Sequence, residues 1–163
     1  MLEDVNPTPN YSLPFWRHFS NLRLCAAHEP GGAQGLGRFK ILIVEDNLLL
    51  SMQIEDALND AGFEVVGKAA SADQAHAFAQ QTHPDLMVVD IRLEGERDGI
   101  SVATDVYAEL GIRSIFASSF TAADLKERSA AARPLAWINK PFDMEALIDL
   151  IRDTSPNHNR ELE

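Results

Sequence analysis

The sequence predicts an α/β fold, a five-stranded parallel sheet with helices on both faces. Three observations predict it. Five short apolar runs alternate with amphipathic segments between residues 39 and 153. The runs are near-continuously apolar, as strands covered on both faces must be. Four of them also end on polar groups suited to one chemistry, and an open parallel sheet gathers its strands' carboxyl ends along a single edge.

Ile41, Leu42, Ile43 and Val44 make the first strand. A helix over 47–61 follows, with Leu50, Ile54, Ala57, Leu58 and Ala61 on one face and Gly62 as its stop. A short second strand is expected over 64–66, then an alanine-rich helix over 72–81, and Pro84 opens a third strand over 86–89. Asp98-Gly99 introduces a helix in which Ile100, Ala103, Val106, Tyr107 and Leu110 keep helical spacing, and Gly111 ends it. The fourth strand covers 114–117, a weakly apolar helix is expected over 122–132, and the fifth strand covers 135–139. Pro141 prevents its extension, and Asp143 is the expected cap of a last helix burying Met144, Leu147, Ile148 and Ile151. The crossovers between parallel strands are expected to be right-handed.

Composition narrows the partners. Across 163 residues, 25 acidic side chains outnumber 14 basic ones, for a formal net charge of -11. Such a field repels nucleic acid and anionic membrane surfaces, so neither is expected to bind. The single cysteine, Cys25, cannot form an internal disulfide and fits a reducing compartment. No apolar run reaches membrane-spanning length and no signal-peptide pattern follows Met1, so a cytoplasmic location is expected.

Three regions differ in character. Residues 1–38 carry Pro7, Pro9, Pro14, Pro30 and a glycine-rich run over 31–37, the mark of a flexible or partly helical extension. Within it Ser12-Leu13-Pro14 reads as a helix start that places Phe15, Trp16, Phe19 and Leu22 on one face. A docking helix, a helix packed on the domain and a disordered extension all stay open there. Residues 39–153 form the folded domain, and 154–163 read as a disordered tail.

The chemistry lies at the strand ends. Glu45 and Asp46 are adjacent carboxylates, which repel unless a cation or hydrogen bonds compensate them. Together with Asp90 they offer the oxygen ligands that magnesium prefers. An acidic pair alone is more often a solvated turn or a helix cap than a metal site. Asp90 closes a buried strand, and a carboxylate there can attack phosphorus and hold the group as an acyl phosphate. Ser118 contributes a hydroxyl after the fourth strand, and Lys140 a cation after the fifth, in a loop constrained by Pro141. Phosphoryl transfer needs a nucleophile, positioning and charge neutralisation, and these residues supply all three.

Residues 39–153 therefore resemble a response-regulator receiver domain, a module of two-component signalling with a flavodoxin-like (βα)5 fold. The family's pattern is an acidic pair after the first strand, a phosphoacceptor aspartate after the third, threonine or serine after the fourth and Lys-Pro after the fifth. Glu45-Asp46, Asp90, Ser118 and Lys140-Pro141 occupy those places at matching separations. The resemblance implies a phosphoryl group taken from a phosphohistidine on a sensor histidine kinase or histidine phosphotransfer protein, with Mg2+ as cofactor. It also implies a metal contact from the Arg92 backbone carbonyl, a cis bond at Lys140–Pro141 and a switch aromatic at Trp137. In the family that aromatic follows the serine or threonine inward and reshapes the face made by the helix after strand four, strand five and the last helix. Phe116-Ala117-Ser118-Ser119-Phe120 is further similar to the Phe-Ala-Thr-Gly-Tyr motif of the FAT GUY subclass, from which Ser118, Ser119 and Phe120 depart. Arg92 and Phe120 occupy the positions that tune phosphoryl lifetime in receivers; bulky Phe120 is expected to restrict attacking water.

With ten residues after the last helix, the expectation is a single-domain regulator signalling to an unknown downstream protein by docking or phosphorelay. Its self-catalysed phosphorylation and dephosphorylation would not make it a turnover enzyme. Two other classes are weighed. A magnesium-dependent aspartyl-phosphate hydrolase would need a further general acid and a substrate-binding insertion; neither is evident over 91–98, although Glu94, Glu96 and Asp98 keep that class open. A phosphate-independent interaction module is disfavoured because every pocket residue is present.

Overall fold

The computed structural model describes residues 38–119, 125 and 127–154. Within them lie β1 (Lys40–Val44), α1 (Leu48–Asp60), β2 (Glu64–Ala69), α2 (Ala72–Thr82), β3 (Leu86–Asp90), α3 (Gly99–Leu110), β4 (Arg113–Ser118), β5 (Ala136–Asn139) and α4 (Met144–Thr154), with a 3-10 turn at Ala130–Ala132 before β5. All the strand pairings are parallel, in the order β2-β1-β3-β4-β5. The predicted sheet is the observed one. Of the expected extension over 1–38 and the expected tail over 154–163, all but Arg38 and Thr154 lie outside the described residues, and Thr154 is the last residue of α4.

Strand periodicity explains why the runs are apolar throughout. Successive side chains point to opposite faces, so both sets need an apolar partner layer. Leu42, Val44, Met87, Val89 and Phe116 pack with Ala75, Ala79, Val102 and Val106 of α2 and α3. Ile41, Ile43, Leu86, Val88 and Ile115 pack on the opposite face with Ile54, Leu58, Leu147 and Ile151 of α1 and α4.

Helices α1, α2 and α3 each begin where a short polar side chain satisfies an amide otherwise left without a partner. Asn47 accepts from Leu50 N at 3.1 Å, Ser71 from Gln74 N at 3.3 Å and Asp98 from Ser101 N at 2.9 Å. Gly111, at φ 72°, closes α3 in the left-handed region where glycine carries no steric penalty.

Two expectations change. The second strand runs to Ala69, not Val66, because the register shifts between Ile41 and Leu42 and lets Gly67 and Lys68 pair with Leu42 and Ile43. Lys68 is tolerated on this edge strand since it ion-pairs with Glu55 of α1. The helix expected over 122–132 is not α-helical at its end. Leu125 is helical, a turn follows at 127–129, and the 3-10 turn Ala130–Ala132 closes on Arg133 at φ 45°. Pro134 accounts for this: its ring disfavours α geometry in the residue before it, whatever the helix propensity of three alanines. Residues 122–124 and 126, the rest of that predicted helix, lie outside the described residues.

Candidate functional site

Strand register brings the polar ends together. Val44 pairs with Val89, Asp90 with Ala117 and Ser118 with Asn139, so Glu45, Asp90, Ser118 and Lys140 all emerge at one edge of the sheet. Backbone bonds hold the rim: Glu45 N donates to Ala69 O at 2.9 Å, and Lys140 N donates to Ser118 O at 2.8 Å. The Lys140–Pro141 peptide bond is cis.

Lys140 is the hub. Its Nζ donates to Glu45 Oε2 at 2.5 Å and to Asp90 Oδ2 at 2.6 Å. Carboxylate oxygens of Glu45, Asp46 and Asp90 lie within 4.8 Å of one another. Glu45 is buried, with its side chain 3% exposed, while Asp46 faces solvent. Burial pushes the Glu45 carboxyl above its ordinary value and the Asp90 charge adds to that, against the pull of Lys140 and of Asn47 N–H. For Lys140 burial works downward, but the hydrogen bonds and attraction from Asp90 and Glu45 prevail and hold it above its ordinary value. Its ammonium is therefore firmly charged.

Three carboxylates against one ammonium leave an uncompensated negative charge on a cluster of oxygen donors. A hard divalent cation suits that donor set, and exposed Asp46 leaves the cluster open to water, which magnesium retains in its shell. The residues fit such an ion.

The remaining predicted residues are placed as follows. Arg92 donates its backbone N–H to Asp90 Oδ1 at 3.1 Å, so it steadies the acceptor carboxylate from the loop that follows it. Ser118 is buried at the end of β4. Trp137 is half-buried on β5, its ring centroid 4.8 Å from that of fully buried Phe116 on the neighbouring strand. Phe120 lies outside the described residues, and with it the last position of the FAT GUY-like motif.

One residue of the site escapes sequence reading. Gly99 opens α3 and passes directly against the acceptor: a Cβ built on it would lie 2.0 Å from Asp90 O and 2.8 Å from Val89 Cγ1. Its N–H also donates to Ile91 O at 2.9 Å. The pair Asp98-Gly99 reads in sequence as a helix start and nothing more. Only the chain's return shows why a glycine follows the cap.

Comparison with known proteins gives the same answer. Residues 41–152 match the family described as the response regulator receiver domain. The chain is 32% identical over 112 residues to the transcriptional regulatory protein PdtaR of Mycobacterium tuberculosis, a match covering 69% of this chain and 54% of that protein. It thus spans about half the length of that relative. It is 31% identical over 116 residues to the chemotaxis protein CheY of Bacillus subtilis, covering 71% of this chain and 96% of CheY. Among solved structures, the signal receiver domain of a modulated diguanylate cyclase from Desulfovibrio desulfuricans aligns with a TM-score of 0.68 at 26% identity, over 77% of this chain and 99% of that one. The receiver domain of the Erythrobacter litoralis response regulator PhyR aligns with a TM-score of 0.61 at 28% identity, over 72% of this chain and 89% of that one. A five-stranded parallel sheet with Glu45, Asp46, Asp90 and Lys140 gathered at one edge, matched along 41–152, identifies the chain as a member of the response regulator receiver family.

Proposed function

We propose that the protein accepts a phosphoryl group on Asp90 from the phosphohistidine of a sensor histidine kinase or histidine phosphotransfer protein, and signals by docking a downstream protein or by passing the group on. The observation that carries this reading is Lys140 held between the carboxylates of Glu45 and Asp90, beside exposed Asp46. In the transfer, an Asp90 carboxylate oxygen forms the bond to phosphorus as the phosphorus–nitrogen bond breaks, and the electron pair leaves with the imidazole. Glu45, Asp46, Asp90 and the Arg92 backbone carbonyl would hold a magnesium ion, which would supply charge neutralisation to the phosphoryl oxygens.

This chain's own residues do the rest. Lys140 exchanges a carboxylate contact for a phosphoryl oxygen without losing its charge. The Ser118 hydroxyl donates to a second phosphoryl oxygen, and Trp137, packed at a tilt against Phe116, answers that movement on β5. Arg92 N–H keeps one Asp90 oxygen engaged so that the other is presented to phosphorus. Arg92 and Phe120 set how readily water reaches the acyl phosphate. Turnover of an external substrate forms no part of this reading.

The donor has a surface to meet. Leu48, Leu49 and Met52, 67%, 74% and 46% exposed, stand on the first turns of α1, two to six residues after Asp46. Apolar side chains so exposed beside a charged pocket suit a protein partner more than a small phosphodonor.

The test is direct. Incubated with acetyl phosphate and magnesium, wild type should take up base-labile phosphoryl label and Asp90→Ala should not. Equal labelling of both, or none on a folded, magnesium-binding wild type, would count against the reading.

A further inference from the structure

The loop over 91–98 leaves Asp90 and comes back to it. Gly99 N–H donates to Ile91 O at 2.9 Å, and the Gly99 Cα is packed so tightly on Asp90 O that no methyl group fits. Asp98, the residue before that contact, is held by three donors: Ser101 N at 2.9 Å and Ser101 Oγ at 2.8 Å on Oδ1, and Arg128 Nη2 at 2.6 Å on Oδ2. Arg128 stands beside buried Ser129 and three residues past buried Leu125, so its backbone is anchored in the chain that follows β4. Between the loop and that chain lies a cavity of about 690 Å3, walled by Ile91, Leu93 and Leu125, with Asp98 and Arg128 on its lining. Where side chains do not fill the space between two elements, a polar tie across it sets their separation. We infer that Asp98 and Arg128 are a positioning pair for the chemistry at Asp90: they hold the base of the acceptor loop, and through Gly99 and Arg92 they hold the acceptor itself.

This inference rests on the reading of Asp90 as phosphoacceptor. The pair is partly exposed, so its loss should cost a small factor and leave the fold intact.

The variants are Arg128→Ala, Arg128→Lys and Asp98→Asn in the full chain. Asparagine caps a helix as well as aspartate does, so Asp98→Asn removes the charge and keeps the cap of α3. Hydrogen exchange of the Arg92 and Gly99 amides in metal-free protein reads the loop without any phosphoryl chemistry. Both amides should exchange about threefold faster in Arg128→Ala and in Asp98→Asn, less so in Arg128→Lys, and the double variant should be no worse than either single one. The rate of acetyl phosphate labelling at saturating magnesium should fall by a similar factor. Unchanged exchange at Arg92 and Gly99, or additive effects in the double variant, would overturn the inference. If wild type labels and Arg128→Ala and Asp98→Asn label at its rate, the inference alone fails. Should wild type take no label, it falls together with the reading of Asp90.

Discussion

Gly99 and Asp90 meet with no room between them: a methyl group on Gly99 would lie 2.0 Å from the Asp90 carbonyl oxygen. Backbone cannot rotate aside as a long side chain can. Gly99→Ala should therefore push α3 off the end of β3 and destabilise the domain by about 1–3 kcal/mol, the usual cost of overpacking. Urea unfolding measures this. Labelling of Asp90 should fall in the same variant, since the acceptor's own peptide group is what moves.

Lys140 separates mutually repelling carboxylates. Lys140→Ala leaves Glu45 and Asp90 facing one another beside Asp46 without the bridging ammonium, so magnesium should take over the compensation it gave. The expected result is a larger rise in melting temperature with magnesium for the variant than for wild type. An equal rise in both would show that lysine and metal do not share the same negative charge.

Ser114 Oγ is fully buried with no hydrogen-bond partner among the described residues. Desolvating a hydroxyl without compensation costs about 1–3 kcal/mol, and methyl in its place removes that cost at nearly the same volume. Ser114→Ala should raise unfolding free energy by about 1 kcal/mol in denaturant titration, leaving Asp90 labelling unaltered.

Asp98 makes stability depend on acid. Burial works to raise its carboxyl, but the Ser101 N–H and O–H and the Arg128 guanidinium outweigh it and hold the group below its ordinary value. A carboxyl depressed on folding contributes stability above its unfolded value, near 3.9 for a free aspartate, and loses it as pH falls through the folded value. Asp98→Asn should therefore narrow the gap to wild type as pH drops from neutrality into that range, measured by thermal unfolding. A gap constant with pH would count against the ionised Asp98 as the source.

Leu49 is 74% exposed on the first turn of α1, and its apolar side chain offers no group to the chemistry at Asp90. Leu49→Asp should leave stability within about 0.5 kcal/mol and acetyl phosphate labelling intact. Transfer from a phosphohistidine protein should slow by tenfold or so, about 1.4 kcal/mol in the transition state. Slowing with both donors would place the defect in the pocket instead.

Much of this molecule is legible in one dimension because its signals are local. Asn47, Ser71 and Asp98 cap the helices they precede, and a cap acts within three residues of itself. The carboxylates, Ser118 and Lys140 are legible for a related reason: each directly follows an apolar run, and parallel strands must end at a common edge. Where the reading slipped, a distant or competing effect decided. Gly67 and Lys68 look like a loop until a register shift on β1 carries them into the sheet. The alanines at 130–132 favour an α-helix until Pro134 disfavours its geometry at Arg133.

By itself, then, the sequence determined the fold class, the strand ends and the chemical type of the residues at them, since periodicity, caps and strand-end polarity are properties of neighbouring positions. Only the tertiary structure decided which carboxylates Lys140 bridges, that Gly99 must be bare against Asp90, and that Arg128 reaches Asp98 across thirty residues. Those are contacts between segments far apart in the chain. They exist only once burial of the two apolar faces has set where each strand end lies, and no local pattern of residues encodes that distance.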